Sequence, residues 1–109
     1  MAFDEAVAQR VRSALSRHAE PVEKKMFGGL AFMLRGNMCC GVIGKEMMVR
    51  VGPEQYEEAL RAPHARAMDF TGRPLKGFVY VGPKGFAAEK DLEAWVEKGI
   101  RFVRSLPQK

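Results

Sequence analysis

The sequence contains few residues of the kinds that stabilise a small protein through covalent bonds. Only two cysteines occur among its 109 residues, and they are neighbours, Cys39 and Cys40. Adjacent residues of a strand point to opposite faces, so we expect these thiols to stay unpaired. A buried structural pair in a reducing compartment is the favoured interpretation. A redox or metal role is the weaker alternative, because no other cysteine supplies metal-ligand spacing.

Long apolar runs are missing as well. Nowhere do the roughly eighteen apolar residues needed for a transmembrane helix follow one another. The segment from Phe3 to Ala14 alternates apolar with charged residues and lacks the apolar centre of a secretion signal. We therefore expect a cytoplasmic protein that makes no membrane contact.

Recognisable catalytic motifs are also lacking. His18 and His64 have no carboxylate or cysteine nearby at metal-ligand spacing. The serines lie in predicted helices without an elbow turn or an adjacent base. Gly77 and Gly82 have the spacing that opens a phosphate loop, but Pro83 replaces its lysine. We expect no catalytic residue, no metal ligand and no cofactor-binding residue.

Short apolar runs separated by glycine fill residues 27–53: FGG, LAFMLR, GNM, CCGVIG and MMVRV. This spacing leaves no room for a crossover helix, so successive strands should pair as antiparallel hairpins. We expect strands near residues 22–27, 30–35, 38–43, 47–51 and 77–81. Two-residue turns are predicted at Gly36-Asn37 and at Lys45-Glu46. The first strand is polar, as is typical of a sheet edge.

Helices are predicted at both ends of the chain, with a short one beginning at Pro53. Apolar residues recur at three- and four-residue spacing from Phe3 to Ala19, and Pro21 follows. The last helix has the clearest apolar stripe, formed by Leu92, Trp95, Val96, Gly99, Phe102, Val103 and Leu106. The predicted fold class is α+β, an antiparallel meander with the N-terminal and C-terminal helices packed on one face and Trp95 buried beneath them.

Positive charge exceeds negative charge, with a formal net charge of +5. The excess is spread along the chain, but residues 61–76, here called the basic segment and predicted to be a loop, carry four cations against one acid. Its candidate interaction residues are Arg61, His64, Arg66, Asp69, Arg73 and Lys76. Such a segment attracts anionic ligands or nucleic acid. A nucleic-acid surface would also interleave exposed aromatics, and Phe70 is the only aromatic within the segment.

The seven methionines favour core filling over an adaptable peptide groove, because most of them fall on predicted strands. If the helices cover one face of the sheet, apolar residues on the opposite face stay uncovered, including Met48 and either Phe32 or Met33. A second copy of the chain would cover them, so we expect a homodimer that buries at least about 1,000 Å².

Five segments occur in a recognisable order: KKMFGGLAFMLRGNMCCGV, MMVRVGPEQYEEAL, MDFTGRPLKGFVYV, DLEAW and a final SLP. Through them nearly the whole chain resembles the TfoX N-terminal domain family, the front half of the TfoX/Sxy competence regulators of bacteria. The resemblance implies an α+β domain with an antiparallel sheet, no known catalytic residues, and regulation of transcription through protein contacts. Regulators of this family also have a helical C-terminal domain of the kind that can contact DNA, whereas we expect residues 1–109 to form a single N-terminal-like domain.

The sequence therefore favours a non-enzymatic regulatory or protein-interaction module whose partner is another protein or a second copy of the chain. A domain that binds an anionic ligand or nucleic acid through the basic segment is the alternative. An enzyme ranks third.

Overall fold

The computed structural model describes residues 3–26, 28–69 and 74–107. Its six strands form one antiparallel sheet in the order β1-β2-β3-β4-β6-β5, which confirms the predicted fold class. A 3-10 turn at Pro83–Phe86 precedes the last helix. The elements are α1 (Glu5–Ser16), β1 (Val22–Met26), β2 (Gly29–Leu34), β3 (Asn37–Ile43), β4 (Glu46–Arg50), α2 (Tyr56–Leu60), β5 (Ala65–Asp69), β6 (Pro74–Val81) and α3 (Glu89–Arg104).

The main core lies between the sheet and the helices. Helix α1 begins at Asp4, whose side chain accepts a hydrogen bond from the Val7 backbone N–H and so caps the first turn. Trp95 of α3 is only 6% exposed, as predicted. Alternate residues of β4, Met47 and Val49, point into this core, because successive strand residues face opposite sides of the sheet.

The basic segment contains two antiparallel strands where a loop was predicted. It contains β5 and the start of β6, which begins at Pro74 and not at residue 77. Strand β5, with the sequence ARAMD, is one of the two edge strands of the sheet. An edge strand tolerates charged and small residues, so its sequence lacks the apolar run that identifies an inner strand. Arg73 lies outside the described residues.

The first hairpin turn was predicted one residue too late. Leu34 pairs with Asn37, so the turn consists of Arg35 and Gly36, both with positive φ, 55° and 82°. That combination matches the right-handed twist of the strands. Asn37 is instead the first residue of β3, where its buried amide donates to the Pro107 carbonyl at 3.0 Å.

Two other boundaries differ from the predictions. Ile43 pairs with Glu46, which makes Gly44 and Lys45 the turn residues between β3 and β4, and Gly44 supplies a positive φ of 56°. Helix α2 begins at Tyr56, later than predicted, because the residues from Pro53 onward form a turn first.

Helix α1 is joined to the edge strand β1 by a bidentate ion pair. Arg12 Nε lies 2.5 Å from Glu23 Oε2, and Arg12 Nη2 lies 2.8 Å from Glu23 Oε1. The hydrogen bond from Arg12 lowers the pKa of Glu23 below its ordinary value of 4.5, and the same bond raises the pKa of Arg12. The pair therefore favours the charged form of both groups.

We expect Glu23→Gln to cost less than about 1 kcal/mol at neutral pH, since both side chains are about one-third exposed. Because the folded pKa of Glu23 is lowered, the contribution is present above the unfolded pKa and disappears as the pH falls through the folded one. The free energies of urea unfolding of the variant and the wild type should therefore differ at pH 7 and converge once the pH falls below the folded pKa of Glu23. A cost that stays the same at both pH values would contradict the assignment.

Candidate functional site

Those candidate residues of the basic segment that the structure describes are spread along it. Arg61 ends helix α2, and His64 lies in the turn before β5 with a φ of 68°. Asp69 ends β5. Since a strand rises about 3.3 Å per residue, His64 and Asp69 are roughly 15 Å apart. At that separation the two side chains are too far apart to form one compact site.

Arg66 of β5 already has partners within the chain. Its guanidinium lies 4.5 Å from the centroid of the Tyr80 ring and 2.5 Å from Glu46 Oε1. A cation stacked on an aromatic ring and paired with a carboxylate is less available to a phosphate. Lys76 of β6 is exposed.

A cleft of about 340 Å³ lies between the loop after β4 and the C-terminal half of α3. We call it the α3 cleft. One wall comes from the loop and the other from helix residues at three- and four-residue spacing, which share a helix face. Apolar, basic and uncharged polar side chains are combined in its lining, which consists of Val51, Pro53, Glu54, Gln55, Lys98, Arg101, Phe102 and Ser105.

Backbone geometry around Gly52 positions the cleft wall. Gly52 has a φ of 86°, and the ring of Phe102 occupies the place that a Cβ at residue 52 would take. The carbonyl of Gly77 accepts hydrogen bonds from the N–H groups of Val51, at 2.8 Å, and Gly52, at 3.1 Å. The guanidinium of Arg50 lies 5.2 Å from the centre of the same Phe102 ring. The ring is thus held from two sides, and the cleft is preformed.

The lining of the α3 cleft combines positive charge with apolar surface. Lys98 and Arg101 outnumber the single acid, Glu54, so the lining attracts negative charge. The Ser105 hydroxyl donates to the Phe102 carbonyl at 2.6 Å and so completes the end of the helix. A concave, partly apolar lining with a few polar groups is a general feature of ligand-binding clefts.

A second cluster joins the end of α1 to α3. His18, Glu93 and Glu97 each present one ligand-type atom, and these atoms lie within 4.8 Å of one another. Sequence reasoning did not find this cluster, because His18 and the two glutamates lie near opposite ends of the chain. The available signal was the spacing of Glu93 and Glu97, which puts both on one helix face.

The two cysteines do not point to opposite faces as predicted. Phe32 pairs with Cys40 while Met33 pairs with Met38, so Cys39 is the extra residue of a β-bulge. A bulge places two residues opposite one and changes the direction of the side chains. Both thiols consequently lie in the core beneath the helices, free and fully buried. A hydrogen bond with Cys39, together with burial, raises the pKa of the Cys40 thiol.

We expect both thiols to be unreactive in the folded protein, because thiolate is the reactive species and neither sulfur reaches solvent. An aromatic disulfide reagent at pH 8 should label the native protein at least about 100-fold more slowly than the protein in guanidinium chloride. The slow reaction of the native protein would occur when the structure opens transiently. The unfolded sample, which should release two equivalents at once, is the control. A rapid native phase would contradict the buried assignment.

The sheet face that carries no helices does not expose the apolar patch that was predicted to form a dimer interface. Phe32 points to the helix side and is fully buried, while Met48 points to the open face and is also fully buried, beside Met68 and Tyr80. Among the described residues, Val22 is the large apolar side chain that is exposed, at 65%. Methionine is therefore used for core filling, as predicted. The homodimer stays a prediction, without the patch that motivated it.

The sequence model of the TfoX N-terminal domain matches residues 13–103, which is most of the chain. Comparisons with curated proteins and with solved structures gave no match. Within the part of the chain that the structure describes, no helix is both long enough and apolar enough to cross a membrane.

Proposed function

Because this chain belongs to the TfoX N-terminal domain family, we propose that it is a non-enzymatic regulatory module that acts by binding another protein. The family supports a competence-regulator-like domain. The α3 cleft supports binding, since it is preformed around Phe102 and needs little reorganisation. The proposed location is the cytoplasm, a compartment that keeps two free thiols reduced.

The proposed partner presents an acidic segment with an apolar side chain. Lys98 and Arg101 would contact its carboxylates, and Phe102 with Val51 would contact its apolar group. The chain carries a net charge of +5, which speeds encounter with an acidic protein at low ionic strength. This partner class follows from the cleft lining, which is the observation that carries the proposal.

Charge reversal on the cleft tests this function. We expect Lys98→Glu/Arg101→Glu to lose a partner that the wild-type chain captures from its native cell. The matched control is Lys24→Glu/Lys25→Glu, which makes the same charge change on the exposed edge strand β1. The control should retain the partner. Equal capture by all three proteins, or equal loss from both variants, would show that the cleft is not the contact.

Nucleic-acid binding through the basic segment is the alternative, and we expect it to fail a direct test. Replacing Arg61, Arg66, Arg73 and Lys76 with glutamine should leave a nucleic-acid titration unchanged, because Arg66 is paired within the chain. Four phosphate contacts would instead give a log–log salt slope of roughly 0.9 per contact on duplex DNA. Submicromolar binding at physiological salt that these substitutions abolish would reverse the ranking.

A further inference from the structure

We propose that His18, Glu93 and Glu97 form a binding site for a divalent transition-metal ion of the Zn²⁺ class, which would cross-link the end of α1 to α3. This inference is independent of the partner proposed above. It depends on the geometry of the three side chains, on an unpaired nitrogen and on the groups that orient them.

The spacing of the three ligand atoms is close to that of a metal site. They all lie within 4.8 Å of one another, and His18 Nε2 is 3.6 Å from Glu93 Oε2. Ligands around a tetrahedral Zn²⁺ ion, with bonds of about 2.0–2.1 Å, are separated by about 3.4 Å. One pair is therefore already at that separation, and small side-chain rotations would bring in the third atom.

The Nε2 atom of His18 is the second observation. It is buried and has no hydrogen-bond partner among the described residues, and its distance from Glu93 exceeds that of a hydrogen bond. A buried polar atom without a partner is uncommon in a folded protein. The side chain as a whole is 29% exposed, so the imidazole lies near the surface, although Nε2 itself faces inward.

Neighbouring groups orient the cluster as outer-shell partners orient metal ligands. Arg17 pairs with Oε1 of Glu93, which leaves Oε2 directed at His18. Nη2 of Arg104 donates to the His18 carbonyl at 3.3 Å. The His18 N–H donates to the Leu15 carbonyl at 2.9 Å. Both the carboxylate and the histidine backbone are thus held in place.

The donor set indicates which ions fit. One imidazole nitrogen with two carboxylates suits Zn²⁺, Fe²⁺ or Ni²⁺, whereas Mg²⁺ and Ca²⁺ prefer oxygen ligands alone. A hollow of about 270 Å³, lined in part by His18, Glu97 and Arg101, leaves room for water as a further ligand. Arg101 and Arg104 add positive charge beside the site, which weakens the binding of a cation. We therefore expect a dissociation constant for Zn²⁺ in the micromolar range and no tighter binding.

The direct test is a titration of the untagged, metal-free chain with Zn²⁺, followed through the imidazole nitrogens by two-bond ¹H–¹⁵N correlation. The sequence has only two histidines, so the signals can be assigned. Zn²⁺ should move the nitrogens of His18 and saturate at one equivalent, while His64 and a parallel Mg²⁺ titration should show no change. Equal shifts of both histidines, or no saturable binding below about 1 mM, would overturn the proposal.

Calorimetry on variants adds a second measurement. His18→Gln and Glu97→Gln should each weaken Zn²⁺ binding by at least about 100-fold, more than the loss of an outer-shell partner typically does. His64→Gln is the matched control and should bind like the wild type. Glu97 is exposed, so its variant should fold even if the His18 variant does not. Unchanged affinity in Glu97→Gln would exclude this site.

Removing a neighbouring cation distinguishes a metal from an anion in the same hollow. Arg101→Gln should strengthen Zn²⁺ binding several-fold, because a positive charge beside the ion is removed. The same change would weaken an anion. Weaker Zn²⁺ binding in this variant would contradict the proposed electrostatics and with them the site.

Discussion

Replacing Gly99 with leucine is expected to destabilise the protein by about 3 kcal/mol or more, the upper range of overpacking. A Cβ at residue 99 would lie 2.8 Å from the Cys39 carbonyl oxygen and 3.0 Å from its Sγ. The larger side chain could be accommodated only if α3 moved away from β3, which would expose Trp95 and Val96. Thermal unfolding should show a midpoint lowered by roughly 10–20 °C.

Two further variants separate packing from helix propensity. Gly99→Ala gains about 1 kcal/mol of helix propensity but still places its methyl group against Cys39, so we expect a smaller net loss of stability. Ala94→Leu adds bulk to an exposed position of the same helix and should change stability by no more than about 0.5 kcal/mol. A wild-type midpoint for Gly99→Leu would show that α3 does not pack on β3 as described.

The sheet meander and the terminal helices could be predicted because their sequence patterns are local. The glycines between short apolar runs predicted β2 to β4, and the stripe containing Trp95 predicted the buried face of α3. Strand β5 lacked such a pattern, since an edge strand needs few apolar residues. Its partner β6 lies between β4 and β5, an order that depends on tertiary packing and not on any local pattern.

The candidate sites were less accessible to sequence reasoning. The bulge at Cys39 depends on the register between β2 and β3, and nothing in the residue pattern gives that register. His18 and Glu97 meet only because α1 and α3 pack side by side. The α3 cleft likewise requires Gly52 to lie against Phe102. Charge density alone pointed to the basic segment, whose residues the fold then separates.

Gly52→Ala is expected to cost about 2–5 kcal/mol and to impair binding at the α3 cleft. A residue with a side chain at positive φ costs about 1–2 kcal/mol, and Gly52 has a φ of 86°. The new methyl group would also overlap the ring of Phe102, which adds an overpacking cost of about 1–3 kcal/mol. Urea unfolding measures the loss of stability, and capture of the cleft partner measures the loss of binding.

The backbone and packing costs can be separated with Gly28→Ala. Gly28 has a φ of 75°, and no described atom lies within 4 Å of the position of its Cβ, so this variant should show the backbone cost alone, about 1–2 kcal/mol. Adding Phe102→Leu to Gly52→Ala should then recover part of the excess, with a coupling of about 1 kcal/mol in a double-mutant cycle. Equal costs for Gly52→Ala and Gly28→Ala would mean that the Phe102 ring moves aside freely, and the α3 cleft would then not be preformed.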